Sequence, residues 1–176
     1  MQAANGAQRA LLIVDMQVGL FHGPERPYEG ERVLERIVEL IRRAREARAP
    51  VYAARHTGPP GSPIAPGSAL TQLLPQLHVD AAFDKTRPNC FHDTPLAQWL
   101  GDAGIGEVVI VGMKTQYCVD ATCRAAGDLG YRAHLVTDAH TCMDTPALPA
   151  RAIIDHHNAT LDGAFATLTS TAACRF

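Results

Sequence analysis

Short, continuous apolar runs along this chain take turns with stretches of helical period. Ala10-Leu11-Leu12-Ile13-Val14 ends at Asp15, the pattern of a strand buried on both faces. From Glu31 to Ala47 the apolar positions Val33, Leu34, Ile37, Val38, Leu40, Ile41 and Ala44 recur at helical spacing. Glu39 and Arg43 pair at i,i+4 on its polar side. Pro50 stops this helix, and Val51 to Arg55 reads as a second strand. A short helix is expected near Leu70 to Leu77 and a third strand around Ala81 to Lys85. Thr94 to Ala103 reads as a helix capped by Asp93 or Thr94, followed by a strand from Glu107 to Val111. Cys118 then sits where a helix begins, with Asp120 to Leu129 as its body and Gly130 as its end. Tyr131 to Thr137 is a fifth strand, Pro146 or Ala147 to Leu161 a last helix, and Ala164 to Leu168 a last short strand. The alternation implies right-handed crossovers and an α/β fold with a mostly parallel sheet covered on both faces.

Two segments break the pattern. Residues 1–8 read as a mobile tail before a single domain over 9–176. Residues 56–68 hold four prolines and three glycines, either as a lid or site wall or as a surface excursion.

Composition narrows the function classes. Hydrophobic residues make up 47% and charged residues 19% of the 176, which suits a globular chain. The net charge of −2 and the lack of a Lys/Arg block argue against a nucleic-acid partner. No apolar run approaches the ~20 residues of a membrane span. Nothing near Met1 resembles a signal peptide, and five scattered cysteines do not suggest a disulfide framework. A reduced, cytoplasmic setting is the expectation.

In parallel sheets, sites form beyond the carboxyl ends of strands. Asp15, Arg55-His56, Lys85, the Gly112 to Cys118 turn and Asp138-Ala139-His140 all fall there. A thiol at a helix start is expected to favour the thiolate. Asp15 supplies a carboxylate that can take a proton, or caps a turn. Lys85 can lower a neighbouring thiol's pKa, or is a solvated edge lysine. Together they offer the nucleophile, base and cation of thiol-based acyl transfer.

Asp15-Met16-Gln17, Lys85 and Gly112-Met113-Lys114-Thr115-Gln116-Tyr117-Cys118-Val119 resemble the isochorismatase-like cysteine hydrolase family. Its members include nicotinamidases, N-carbamoylsarcosine amidases, ureidoacrylate amidases and true isochorismatases. The resemblance runs from Leu11 to about Phe165 and implies a three-layer αβα, Rossmann-like domain with a six-stranded sheet. It implies that Asp15, Lys85 and Cys118 form a catalytic triad. It also implies a cis peptide between Met113 and Lys114 and an oxyanion hole made of the N–H groups of Lys114 and Cys118. Gln17, Leu20, His56, His92 and Tyr117 are the expected substrate pocket, with the Gly61 to Ile64 loop at its entrance. The expected reaction is cleavage of the C–N bond of a small amide, carbamoyl or ureido compound through a thioester.

Some family features are missing. Metal-containing nicotinamidases carry an Asp-x-His pattern after the second strand, where this chain has Arg55-His56-Thr57. His156 and His157, about 100° apart on a helix, do not face one ligand, and His22, His78 and His134 read as surface residues. No metal and no cofactor are therefore expected. True isochorismatases lack the cysteine, so vinyl-ether cleavage with Asp15 as acid is the alternative enzyme reading. A thiol sensor using Cys118 with Cys123 is another, although five helical residues turn them about 500° and well apart. A catalytically idle binding protein is a third. Cys90, Cys142 and Cys174 read as buried structural residues. Asp138 and His140 either support the site from behind or cap the next segment. The resemblance further implies a homo-oligomer, a dimer or tetramer, acting on a small molecule away from membranes.

Overall fold

The structure, a computed structural model, describes residues 8–176. The tail expected over residues 1–8 lies outside them, except that Gln8 already belongs to the first strand. Six strands form one sheet: β1 Gln8–Val14, β2 Val51–His56, β3 Ala81–Lys85, β4 Ile105–Met113, β5 Arg132–Thr141 and β6 Thr167–Thr169. Their spatial order is β3-β2-β1-β4-β5-β6, and every neighbouring pair is parallel. β1 lies at the centre, with Leu11 opposite both Val51 and Val109, which explains why its run is apolar without alternation.

Successive side chains of β1 point to opposite faces and build two cores. Leu11 and Ile13 join Ile37, Leu40 and Ile41 of helix α2, Gly30–Glu46. Ala10, Leu12 and Val14 join Leu96 and Leu100 of α3, Leu96–Asp102, and Cys123 and Ala126 of α4, Asp120–Asp128. Each large side chain buried this way contributes about 1.5–3 kcal/mol relative to exposure. Helix α5, Ala150–Leu161, adds Ile153 and Ile154 over Cys142. A four-residue helix, α1 at Val18–Phe21, has no counterpart in the sequence reading. Among the described residues, no helix is long and apolar enough to cross a membrane.

The helix expected at Leu70–Leu77 does not form. Only a 3₁₀ turn is present at Ala69–Thr71, and Leu73 bridges to Gln17 instead. Pro75 denies the segment a continuous helix. α3 starts at Leu96 rather than Thr94, because a residue before proline avoids helical angles. Pro95 holds the cap position, while Thr94 Oγ1 accepts the N–H of Leu96, the first helical residue, at 3.4 Å and donates to the Cys90 carbonyl at 2.6 Å; Asp93 makes no such bond. α5 starts at Ala150, whose N–H donates to Asp144 Oδ1 at 2.7 Å. The last strand lies three residues later at its start than expected, at Thr167–Thr169.

Candidate active site

Three strand ends converge. Asp15 follows β1 with φ +49°, a left-handed conformation that Asp tolerates better than most residues. This kink at the strand end leaves its backbone N–H bonded to the Ala54 carbonyl at 3.1 Å. Lys85 is the last residue of β3. Cys118 lies in a π-helical turn, Thr115–Val119, that runs directly into α4.

Gly112 makes the approach of these elements possible. It pairs with Val14 at φ +116°, and a Cβ there would stand 2.1 Å from the Val14 carbonyl oxygen. The next peptide but one, Met113–Lys114, is cis, and the Lys114 carbonyl then accepts the N–H groups of Tyr117 and Val119.

The Lys85 ammonium sits at the centre of the cluster. It donates to Asp15 Oδ2 at 2.8 Å, Cys118 Sγ at 3.2 Å and the Arg87 carbonyl at 3.2 Å, and lies 3.1 Å from His56 Nδ1. Asp15 and Lys85 are almost wholly removed from solvent. Asp15 Oδ1 is buried with no hydrogen-bond partner in the described structure. It is an open acceptor in the same cluster as the thiol.

Burial sets the electrostatics. It raises the Asp15 carboxyl above its ordinary range, against the pull of Lys85. Desolvation opposes the Lys85 charge, but Asp15 and the nearby thiols outweigh it and hold the ammonium more firmly protonated. The Cys118 thiol is pushed up to about 12, first by burial and then by Asp15. Burial thus opposes the thiolate that a helix start was expected to favour: Cys118 is 8% exposed as a residue, and desolvation outweighs the pull of Lys85. Burial and then Lys85 lower His56, which favours the neutral ring with Nδ1 facing the ammonium.

A cavity of about 330 Å³ opens onto the sulfur. Asp15, Gln17, Leu20, His56, Lys114, Tyr117 and Cys118 line it, as does Ile64 from the proline-rich loop, which is therefore a site wall. The loop is pinned by the Gly58 N–H donating to the Ile64 carbonyl at 2.8 Å. Gln17 lines the cavity with its amide already used: it donates to the His56 and Thr71 carbonyls and accepts from the His56 N–H. His92 does not belong to this lining. It is exposed and pairs with its neighbour Asp93. Leu70 and Pro88 line the cavity without having been singled out from the sequence, since neither carries a chemical signature.

Among the described residues, Asp15, His56 and Cys118 are the only His/Cys/Asp/Glu group close enough to share a metal, with ligand atoms within 4.8 Å of one another. The Lys85 ammonium reaches an atom of all three, so a divalent ion would have to displace it. His134, expected on the surface, is instead tucked against Glu107 at 2.7 Å, and Arg9 and Arg132 complete that ion cluster. Asp138 accepts from the Thr171 N–H and hydroxyl, which assigns it to capping the turn after β6. All five cysteines are unpaired and buried, so Cys118 and Cys123 form no disulfide.

Comparison with known proteins agrees with this layout. A family model described as the isochorismatase domain matches residues 9–173. A streptothricin hydrolase of Streptomyces noursei is 39% identical over 80% of this chain, and the chain spans about half (52%) of that relative's length. An uncharacterized isochorismatase family protein of Bacillus subtilis is 28% identical over 93% of this chain and 97% of its own. The crystal structure of an isochorismatase family protein superposes with a TM-score of 0.87 at 32% identity, covering 92% of this chain and 98% of that one.

Proposed function

Because this chain belongs to the isochorismatase family, we propose that it is a cysteine-dependent hydrolase that cleaves the C–N bond of a small amide, carbamoyl or ureido substrate. Support comes chiefly from one relationship: Lys85 holds Asp15 Oδ2 while Asp15 Oδ1 is unpartnered in the cluster that contains the Cys118 thiol.

Because burial favours the thiol, deprotonation accompanies attack. Asp15 Oδ1 takes the proton as the sulfur adds to the carbonyl carbon. The carbonyl oxygen becomes an oxyanion held by the N–H groups of Lys114 and Cys118, a stabilisation of about 3–4 kcal/mol per donor in comparable sites. Collapse breaks the C–N bond, and Asp15 returns the proton to the departing nitrogen. Water then attacks the thioester with Asp15 as base, and the thiol is regenerated. Lys85 keeps its charge throughout and offsets negative charge on Asp15 and sulfur. The apolar walls from Leu20, Ile64 and Leu70 suit a substrate whose unreactive part is uncharged.

The test is an ammonia-release screen over primary amides, carbamoyl amines and ureides, with Cys118→Ala as the blank. Release from at least one class, abolished in the variant, is expected. Equal release by the variant overturns the reading.

A further inference from the structure

His140 bonds to the nucleophile turn without lining the cavity. It is 2% exposed, and both ring nitrogens are engaged at 2.9 Å: Nδ1 with Thr115 Oγ1, and Nε2 with Asn158 Oδ1. Asn158 is itself oriented by its Nδ2, which donates to the Thr137 carbonyl at 3.4 Å. With that orientation Oδ1 faces the ring, so Nε2 carries the hydrogen and Nδ1 accepts from the Thr115 hydroxyl. Burial lowers the imidazole to about 4, so this neutral form prevails near pH 7.

The partner of this ring matters because of its place in the chain. Thr115 directly follows Lys114, is 1% exposed, and opens the Thr115–Val119 turn that holds Cys118. Backbone pairing adds a second tie: β4 and β5 lose register after Ile110 and regain it with Gly112 opposite His140. Thus α5, through Asn158, and β5, through His140, both fix the first residue of the nucleophile turn.

We propose that His140 is a positioning residue that, through Thr115, aims the Lys114 N–H at the oxygen of the reacting carbonyl. It touches neither substrate nor sulfur. The role rests on the hydrolase reading given above, and its effect is expected on the step that needs the oxyanion donor. Ground-state binding and the intrinsic reactivity of the thiol depend on other groups.

The experiment compares wild type with His140→Ala, His140→Gln and Asn158→Leu by three readouts. These are kcat and KM on the amide found by the screen, the rate of Cys118 alkylation by iodoacetamide, and the backbone amide resonance of ¹⁵N-labelled Lys114. His140→Ala is expected to lower kcat about 10–100-fold, short of the 10²–10³ lost with an oxyanion donor itself. KM and the alkylation rate should stay within about 3-fold, and the Lys114 resonance should shift or broaden. His140→Gln, which can accept from Thr115 and donate to Asn158, should recover most of kcat. An unchanged kcat with an unchanged Lys114 resonance overturns the proposal. So does a loss of kcat matched by an equal loss of alkylation, which points to general unfolding. Should wild type turn over no amide, the hydrolase reading falls, while the Lys114 resonance still decides whether His140 holds this turn.

Discussion

Lys85 Nζ and Asp15 Oδ2 stand 2.8 Å apart with side-chain exposures of 0% and 1%. Two charges this far from water are held together by mutual need, because removing one strands the other. Lys85→Met is therefore expected to lower folding stability by about 3–5 kcal/mol. Adding Asp15→Leu should restore much of that loss while leaving the protein inactive. Urea unfolding of the single and double variants checks this, and a double variant no more stable than Lys85→Met contradicts it.

Gly112 carries a different constraint. At φ +116°, with the Val14 carbonyl oxygen 2.1 Å from where a Cβ would sit, Gly112→Ala forces β4 away from β1. A cost of about 3 kcal/mol or more is expected, with loss of Cys118 alkylation protection as the turn moves. Thermal unfolding together with alkylation kinetics measures both.

His140 links stability to acid. Its folded pKa of about 4 lies below the ordinary 6.5, because burial opposes the charge more than Asn158 and Asp138 favour it, with His157 also opposing. Between those values the unfolded chain binds the extra proton. The stability from neutral His140 is complete above pH 6.5 and is lost as pH falls toward 4, by about 3 kcal/mol. The difference in unfolding free energy between wild type and His140→Gln should shrink over that window and stay flat above pH 7. A flat difference throughout contradicts the assignment.

Tyr117 is 54% exposed beside the sulfur and lines the cavity. Tyr117→Ala is expected to leave stability within about 0.5 kcal/mol while raising KM for the substrate found by screening. Calorimetry and steady-state kinetics separate the two effects.

Much of this arrangement could be read from the chain. The apolar runs ending at Asp15, Lys85 and Gly112 gave three strand ends, and a parallel sheet must bring such ends to one edge. The helix starts were less legible, because Pro95 and Pro149 take the cap positions and shift α3 and α5 toward their carboxyl ends. Leu70, Leu73, Leu74 and Leu77 have helical spacing, yet the segment is a string of turns that meets Gln17 through one bridge at Leu73. Tertiary pairing overrode local period there. For the thiol, local sequence shows the turn, but the burial that opposes its charge comes from strands remote in numbering. The same distance hid the His140–Thr115 bond, 25 residues apart; His92 is exposed against its neighbour Asp93 and outside the cavity lining.

The central claim is that Cys118 forms a covalent bond to the substrate's acyl carbon. Rapid acid quench of the enzyme with a turned-over amide, followed by intact-mass and peptide mapping, tests it most directly. The account predicts a transient mass increase equal to the acyl group on the peptide holding Cys118, gone in Cys118→Ala and prolonged when the water step is slowed. Steady product formation with no adduct on Cys118, and undiminished in Cys118→Ala, would contradict it.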